Sequence, residues 1–388
     1  MTSFILLFAS SPIGGKGGAA TVINSYIDFF KRNESKFDFI FIPFHATSIS
    51  QSIKILRYLP SLLIGYRLLK NIFLRKKFFY RSTNYVYWHS YGLLDSFLLL
   101  LLSPLFTAVS KHHIVTLHSP NFYPINDTPT FSQRLYYIFI SLSRFNQHHL
   151  NTYHLSIWKT KYNGSISFGT RQLKNFVCLN PLSNTLATNL KTIPKSSNHA
   201  INTTNTNSND SISIINTPVN ILSLSQLIPG KNVHILIESL LFLSYNFHLT
   251  IAGDGPLEYR LFLEESVEKY NLNTRVSFVG FVDHHRKQRC FDQANIFCVP
   301  SINDTQSLVN IEAVSANLSL VLFKYPPFLE IYSNLPSIFW AEDLTSQALA
   351  SQLLIASRHH NLESIEISKK MILEKFADEN LLYHINNL

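Results

Sequence analysis

Residues 196–210 read Ser-Ser-Asn-His-Ala-Ile-Asn-Thr-Thr-Asn-Thr-Asn-Ser-Asn-Asp, a stretch nearly devoid of apolar side chains. Such a segment buries too little surface to offset the entropy of ordering it, so it cannot sit in a core. It splits the chain, and the same rhythm runs on both sides. Before it, short runs rich in Phe, Ile, Val and Tyr at Ser3–Ala9, Phe37–Pro43, Tyr85–His89 and His113–His118 alternate with helical patterns at Ala19–Phe30, Ile53–Phe73, Ser96–Ser110 and Phe131–Phe145. After it, strands are expected at Val219–Ser225, His248–Ala252, Val276–Val279, Ile296–Val299 and Ser319–Phe323. Helices are expected at Val233–Leu243, Leu257–Tyr270, His285–Gln293, Leu308–Ala316 and Leu344–Arg358. Strands separated by helices pair in parallel, with helices on both faces of the sheet. The expected fold is therefore α/β: two Rossmann-like, doubly wound domains facing each other across a cleft at the carboxyl ends of their sheets. The boundaries fall at 1–182, a polar linker or insertion at 183–217, and 218–388, with the order of elements between Gln147 and Asn180 left open.

A chain of 388 residues with 46% apolar side chains can build two cores. Cys178, Cys290 and Cys298 are few, odd in number and unlike any metal spacing, which points to a reducing compartment and structural thiols. The start, Phe4-Ile5-Leu6-Leu7-Phe8-Ala9, lacks a basic leader and runs into Pro12-Ile13-Gly14-Gly15, so it reads as a first strand rather than a signal peptide.

The charge is unevenly placed. Residues 1–217 hold 21 Lys/Arg against 6 Asp/Glu, and residues 218–388 hold 12 against 18. No acidic residue lies between Asp38 and Asp95, where Lys54, Arg57, Arg67, Lys70, Arg75, Lys76, Lys77 and Arg81 alternate with Leu, Ile, Phe and Tyr. A basic, apolar stretch suits an anionic membrane surface, where each cation is worth about 1 kcal/mol. A core helix with a solvated basic edge and a nucleic-acid surface are the alternatives. No recognisable nucleic-acid module accompanies the charge, so nucleic acid is not expected as a partner. The most apolar run, Gly92 to Ser110, is broken by Asp95 and Pro104 and falls short of the roughly 20 residues of a spanning helix. A cytoplasmic protein peripheral to the membrane is expected.

Four places carry chemistry. Gly14-Gly15-Lys16-Gly17-Gly18 follows the first strand and opens a helix, where close backbone approach and a helix N-terminus favour an anion. It lacks the Lys-Ser/Thr of a P-loop and the acidic residue of a dinucleotide fingerprint. Ile114-Val115-Thr116-Leu117-His118 ends a strand with His118 towards the expected cleft, in a position that a structural histidine could also fill. Leu224-Ser225-Gln226-Leu227-Ile228-Pro229-Gly230-Lys231-Asn232 follows the first strand of the second half. Finally, Asp304 and Glu312 stand eight positions apart across a strand-to-helix turn. The helix N-terminus there suits a diphosphate, and the carboxylates can accept hydrogen bonds from sugar or ribose hydroxyls. An N-cap at Asp304 and a solvated helix Glu would explain the same residues. The residues show no convincing metal cluster.

In order and spacing these segments, together with Gly253-Asp254-Gly255-Pro256 and Val276-Ser277-Phe278-Val279-Gly280, resemble the retaining glycosyltransferases of family 4, which have the GT-B fold. The resemblance covers roughly residues 3–325. Asp304 and Glu312 match the family's acid-x7-acid motif, with Asp304 where Glu is usual. Gln226 stands for the family's Arg, Asn232 for a Gly, and Asn317 for the Gly that ends the motif helix. The resemblance implies a hexosyltransferase-type enzyme that moves a sugar from a nucleotide diphosphate to a glycan or lipid-linked acceptor, with retention of configuration. It places Gln226, Lys231, Ser307 and Leu308 at the diphosphate, Glu312 at the ribose and Asp304 at the sugar. His118 would stabilise charge at the reacting carbon beside Gly14 and Gly15. It implies no cofactor beyond the nucleotide-sugar substrate, and no metal. The departures leave two other classes open: a non-catalytic relative that binds a membrane or partner, and a sugar-nucleotide epimerase.

Overall fold

The computed structural model describes residues 3–9, 18–43, 84–90, 112–117, 147–150, 167–168, 171–172, 174–177, 179–192, 217–302, 304 and 306–386. The chain separates into two compact units, Met1–Asn184 with Phe376–Leu388, and Thr185–Lys375.

In the first unit, β1 (Ser3–Ala9), β2 (Phe37–Pro43), β3 (Asn84–Ser90), β4 (His112–Leu117), β5 (Gln147–Leu150) and β8 (Lys174–Val177) form a parallel sheet in the order β2-β1-β3-β4-β5-β8. The segment whose order the pattern left open thus supplies two strands of that sheet. It also supplies a short antiparallel pair, β6 (Ser167–Phe168) and β7 (Arg171–Gln172). Pairing register sets Leu6 beside Ile40 and Val86. Helix α1 (Gly18–Arg32) buries Ile23, Tyr26, Phe29 and Phe30, a face recurring at three- to four-residue spacing. Lys31 and Arg32 in its last turn suit the negative end of the helix dipole. The Tyr26 hydroxyl donates to Asn180 Oδ1 at 3.1 Å, and both side chains are buried.

The second unit carries β9 (Val219–Leu224), β10 (Phe247–Ala252), β11 (Val276–Gly280), β12 (Ile296–Cys298), β13 (Ser319–Phe323) and β14 (Ile338–Ala341). They run parallel in the order β11-β10-β9-β12-β13-β14. That is the Rossmann order, with its reversal between β9 and β12. All five residues of β13 are buried, as expected of a central parallel strand covered on both faces. The sequence connecting the units contains α2 (Asn184–Lys191), with Leu186 and Leu190 buried, inside the stretch expected to be a linker. Residues 193–216, including the Asn/Ser/Thr-rich run, lie outside the described residues.

Helices α3 (Val233–Ser239), α4 (Leu257–Lys269), α5 (His284–Gln293) and α6 (Leu308–Ser315) connect the first strands of this sheet. They are followed by α7 (Pro326–Tyr332), α8 (Ser346–Arg358) and α9 (Leu362–Lys375). The boundaries that moved have local causes. The helix expected through Leu243 stops at Ser239, where Ser239 Oγ donates to Leu236 O at 2.7 Å and a 3-10 turn, Leu240–Phe242, takes over. Asp283 accepts from the Arg286 amide at 2.8 Å and starts α5, while Thr345 does the same for Ala348 at 3.2 Å and starts α8 two residues late. Strand β14 and helices α7 and α9 were not expected.

The final helix, α10 (Asp378–Asn386), groups with the first unit. Asp378 takes a two-pronged ion pair from Arg32 of α1, at 2.9 Å from Nε and 2.7 Å from Nη2. Leu381, Leu382 and Ile385 bury the other face of the helix.

Candidate functional site

The reversal of strand order between β9 and β12 places two loops side by side at the carboxyl end of the sheet. Backbone hydrogen bonds hold the turns after β9 and β10. Ser225 N–H donates to Ala252 O at 3.1 Å, Leu227 N–H to Asp254 O at 3.0 Å, and Gly253 N–H to Gly280 O at 2.8 Å. These contacts leave no space for a side chain on the turn after β10. A Cβ on Gly253, whose φ is 138°, would lie 1.8 Å from Ser225 O, and one on Gly255 would lie 1.9 Å from Leu227 O. Gly253-x-Gly255 is therefore a device for fixing the β9 loop against its neighbour.

The β9 loop continues through a 3-10 turn, Pro229–Lys231, to Asn232 at φ 53°. Asn232 Nδ2 donates to Pro300 O at 3.0 Å, and Ile302 N–H donates to Gly230 O at 3.1 Å. The loops after β9 and β12 are thus tied together, and this brings in the first ion pair. Lys231 Nζ lies 2.5 Å from Asp304 Oδ1, with the two side chains 12% and 21% exposed. Asp304 is not the helix N-cap that its chemistry would allow. That position belongs to Ser307, in a left-handed conformation at φ 47° and with no side-chain capping bond.

The segment between Asp304 and α6 is anchored from below. The Tyr332 hydroxyl, on α7 and wholly buried, hydrogen-bonds the carbonyls of Gln306 at 2.5 Å and Ser307 at 3.2 Å. Burial pushes the Tyr332 phenol well above its ordinary range, and the nearby Asp304 charge pushes it further, so it stays a protonated donor. The first amides of α6, those of Ser307 and Leu308 among them, are ones a helix leaves without an intrahelical acceptor.

One turn into α6, Glu312 accepts from Lys287 Nζ of α5 through both carboxylate oxygens, each at 2.8 Å. It is a paired, partly buried carboxylate, not a solvated one. Gln226 is exposed on the β9 loop and brings no charge to it. Arg286 sits near but is turned onto the carbonyls of Val279 at 3.2 Å and Phe281 at 3.5 Å.

Of the residues singled out in the sequence, Lys231 and Asp304 meet directly, while Ser307, Leu308 and Glu312 line one helix start beside them. Gly14, Gly15 and His118 lie outside the described residues, as does the basic stretch from Lys54 to Arg81. Sequence reasoning missed Lys287 and Tyr332. Lys287 stands in the run His284-His285-Arg286-Lys287, where nothing separates it from its neighbours, and Tyr332 sits on a helix that was not expected. Among the described residues no three His, Cys, Asp or Glu side chains cluster as a metal site would need, and no helix is long and apolar enough to cross a membrane.

Residues 205–366 match the protein family described as Glycosyl transferases group 1, a span holding Lys231, Asp304, Lys287 and Glu312. The chain is 28% identical over 159 residues to the putative colanic acid biosynthesis glycosyltransferase WcaL of Salmonella typhimurium, covering 38% of this chain and 39% of that protein. It is 29% identical over 150 residues to the amylovoran biosynthesis glycosyltransferase AmsK of Erwinia amylovora, covering 36% of each. The matches span about two fifths of the length of these curated relatives. Over almost the whole chain, the fold is similar to that of Anabaena Alr3699/HepE solved with UDP and glucose, at a TM-score of 0.65 and 15% identity, covering 99% of this chain and 98% of that one. Sucrose-phosphate synthase (tll1590) from Thermosynechococcus elongatus gives a TM-score of 0.67 at 12% identity, covering 100% and 98%. The fold is GT-B, with two Rossmann-like α/β units.

Proposed function

We propose that the chain is a glycosyltransferase that moves a hexose from a nucleotide diphosphate donor to a glycan or lipid-linked acceptor, with retention of anomeric configuration. The observation that carries this reading is the pair of linked charges around the start of α6, Lys231 with Asp304 and Lys287 with Glu312. A diphosphate is a better partner for Lys231 than a single carboxylate, and the first amides of α6 add donors aimed at the same charge. When the diphosphate takes Lys231, Asp304 is released to accept hydrogen bonds from sugar hydroxyls. Each charged group then exchanges one partner for another, and none is left buried alone. Glu312 accepts from the ribose hydroxyls. By the family resemblance, His118 stabilises charge at the reacting carbon, with Gly14 and Gly15 beside the donor.

The acceptor side rests on charge and on relatives. Residues 1–217 hold an excess of cations, and their acid-free basic stretch suits the cytoplasmic face of an anionic membrane. The similar proteins WcaL and AmsK are described by roles in colanic acid and amylovoran biosynthesis, and HepE was solved with UDP and glucose. We place this chain in polysaccharide or glycolipid assembly, peripheral to the membrane, and without a metal or further cofactor.

Gln226 favours a second reading. A neutral amide cannot replace the bidentate charge of an Arg at the diphosphate, which is what a non-catalytic relative would show. Thermal unfolding of the purified protein with UDP-, GDP-, ADP- and CMP-sugars separates the two. A binding donor should add about 2.7 kcal/mol at a hundredfold excess over its dissociation constant, and Lys231→Met should remove most of that gain. Turnover of the stabilising donor onto a lipid-linked acceptor supports the transferase; binding without turnover supports the non-catalytic relative. A flat response from folded protein overturns the transferase reading and favours the non-catalytic relative that binds a membrane or partner.

A further inference from the structure

No motif accounts for Lys287, yet its contact with Glu312 is the most symmetrical charge pair in the described structure. Its ammonium lies 2.8 Å from each carboxylate oxygen, with the two side chains 24% and 20% exposed. Pairs of long side chains in open solvent are worth little because they are screened and entropically costly. This one is largely withdrawn from solvent and is built from two helices that flank β12, α5 entering the strand and α6 leaving it. The lysine end of the pair is itself set by a cap. Asp283 accepts from the Arg286 amide at 2.8 Å, and Lys287 N–H donates to Asp283 O at 2.8 Å, which fixes the first turn of α5.

An ammonium shared by both oxygens holds the carboxylate against rotation about its terminal bond. A carboxylate has about four lone-pair sites. Shared in this way, one site on each oxygen faces the lysine and one on each stays open, pointing to either side. The open sites diverge, so each held oxygen can accept from one hydroxyl, such as the 2′-hydroxyl of a ribose. A glutamate free to rotate would have to be ordered by the ligand itself. We propose that Lys287 is a positioning residue for nucleotide recognition: it orients Glu312 so that the enzyme selects ribonucleoside diphosphates over their 2′-deoxy counterparts. This rests on the reading of Glu312 as the ribose acceptor.

The test measures dissociation constants by calorimetry for UDP, GDP and ADP, then for the 2′-deoxy form of whichever binds. The wild type should prefer the ribonucleotide by about tenfold or more, the equivalent of ~1.4 kcal/mol. Lys287→Met should reduce that preference to near unity, chiefly by weakening the ribonucleotide, and Lys287→Arg should restore part of it. Lys287→Gln, which keeps neutral donors, guards against a folding failure in the Met variant, and unfolding temperatures show which variants are folded. If Lys287→Met weakens ribo- and deoxynucleotide equally, the lysine supplies only general charge and the inference fails. It also fails if a folded variant keeps the full preference. If the wild type binds no nucleoside diphosphate at all, the donor reading itself is overturned and the inference falls with it, an outcome separate from the other two.

Discussion

At the carboxyl end of the second sheet, the turns after β9 and β10 meet on glycine, whereas the ends of helices α3 and α6 turn on Asn and Ser. Both places need unusual backbone, but for different reasons. At Gly253 the difficulty is space as well as φ: a Cβ would lie 1.8 Å from a neighbouring carbonyl oxygen. At Asn232, Ser307 and Asn317 it is only φ, at 53°, 47° and 66°. A left-handed conformation alone can be met by a short polar residue, and Asn is the usual one. Asn317 shows how fully it can substitute. Leu318 N–H donates to Ala313 O and Asn317 N–H to Val314 O, each at 3.0 Å, which is the complete pattern of a glycine-type helix ending. Asn271 closes α4 in the same way. The side chains then gain work that glycine could not do: Asn317 Oδ1 accepts from the buried Lys369 ammonium at 2.5 Å, and Asn232 Nδ2 ties the β9 loop to Pro300. Ser307 has no such bond to its side chain at the helix start.

This contrast can be broken by substitution. Gly253→Ala carries the largest expected effect, a loss of about 3 kcal/mol or more, since backbone on both sides would have to move. It is read by urea unfolding, and a loss under about 1 kcal/mol would show that the loops have slack. Asn317→Gly should cost about 1–3 kcal/mol although glycine suits the φ better, because it leaves Lys369, which is 2% exposed, only a long contact to Thr192 O at 3.5 Å. Burial already lowers the Lys369 pKa from its ordinary value, so a neutral partner matters to it. Stabilisation by this change would mean that the lysine finds another acceptor unaided. Ser307→Gly should move the other way, stabilising by about 0.5–1 kcal/mol through relief of the left-handed serine. Opposite signs for two glycine substitutions at positive φ would establish that side-chain bonding, not φ, decides which is tolerated.

The smallest effect concerns pH. His234 on α3 lies 3.0 Å from the Tyr259 hydroxyl, and burial lowers its pKa against the weaker opposing pull of Glu238. The folded state therefore prefers the neutral ring. Its contribution is intact above the unfolded value of about 6.5 and is lost as pH falls below it. The wild type should lose more thermal stability between about pH 7 and pH 5 than His234→Gln does, and parallel curves would rule the histidine out.

Much of the fold was legible. Ser3–Ala9 and Phe37–Pro43 are strands at the expected residues, and the five strands expected in the second half are all present within one or two residues of their limits. Short β-branched and aromatic runs carry that information locally. Where the pattern weakened, it failed. Gln147–Leu150 contains two histidines and reads as nothing in particular, yet it pairs between β4 and β8. The C-terminal helix and its grouping with the first unit had no local signal, because Arg32 and Asp378 are 346 positions apart.

For the site, the sequence alone determined the residue types and their spacing: a lysine after one strand, and two carboxylates eight apart across a strand-to-helix turn. These follow from periodicity and turn chemistry, which act over a few residues. The tertiary structure alone decided who pairs with whom. Lys231 reaches Asp304 across 73 positions because β9 and β12 are neighbours at the reversal of strand order. Glu312 is held by Lys287 because α5 and α6 flank the same strand. Coulomb attraction needs only a few ångströms between groups, and it is the order of strands in the sheet that sets those distances.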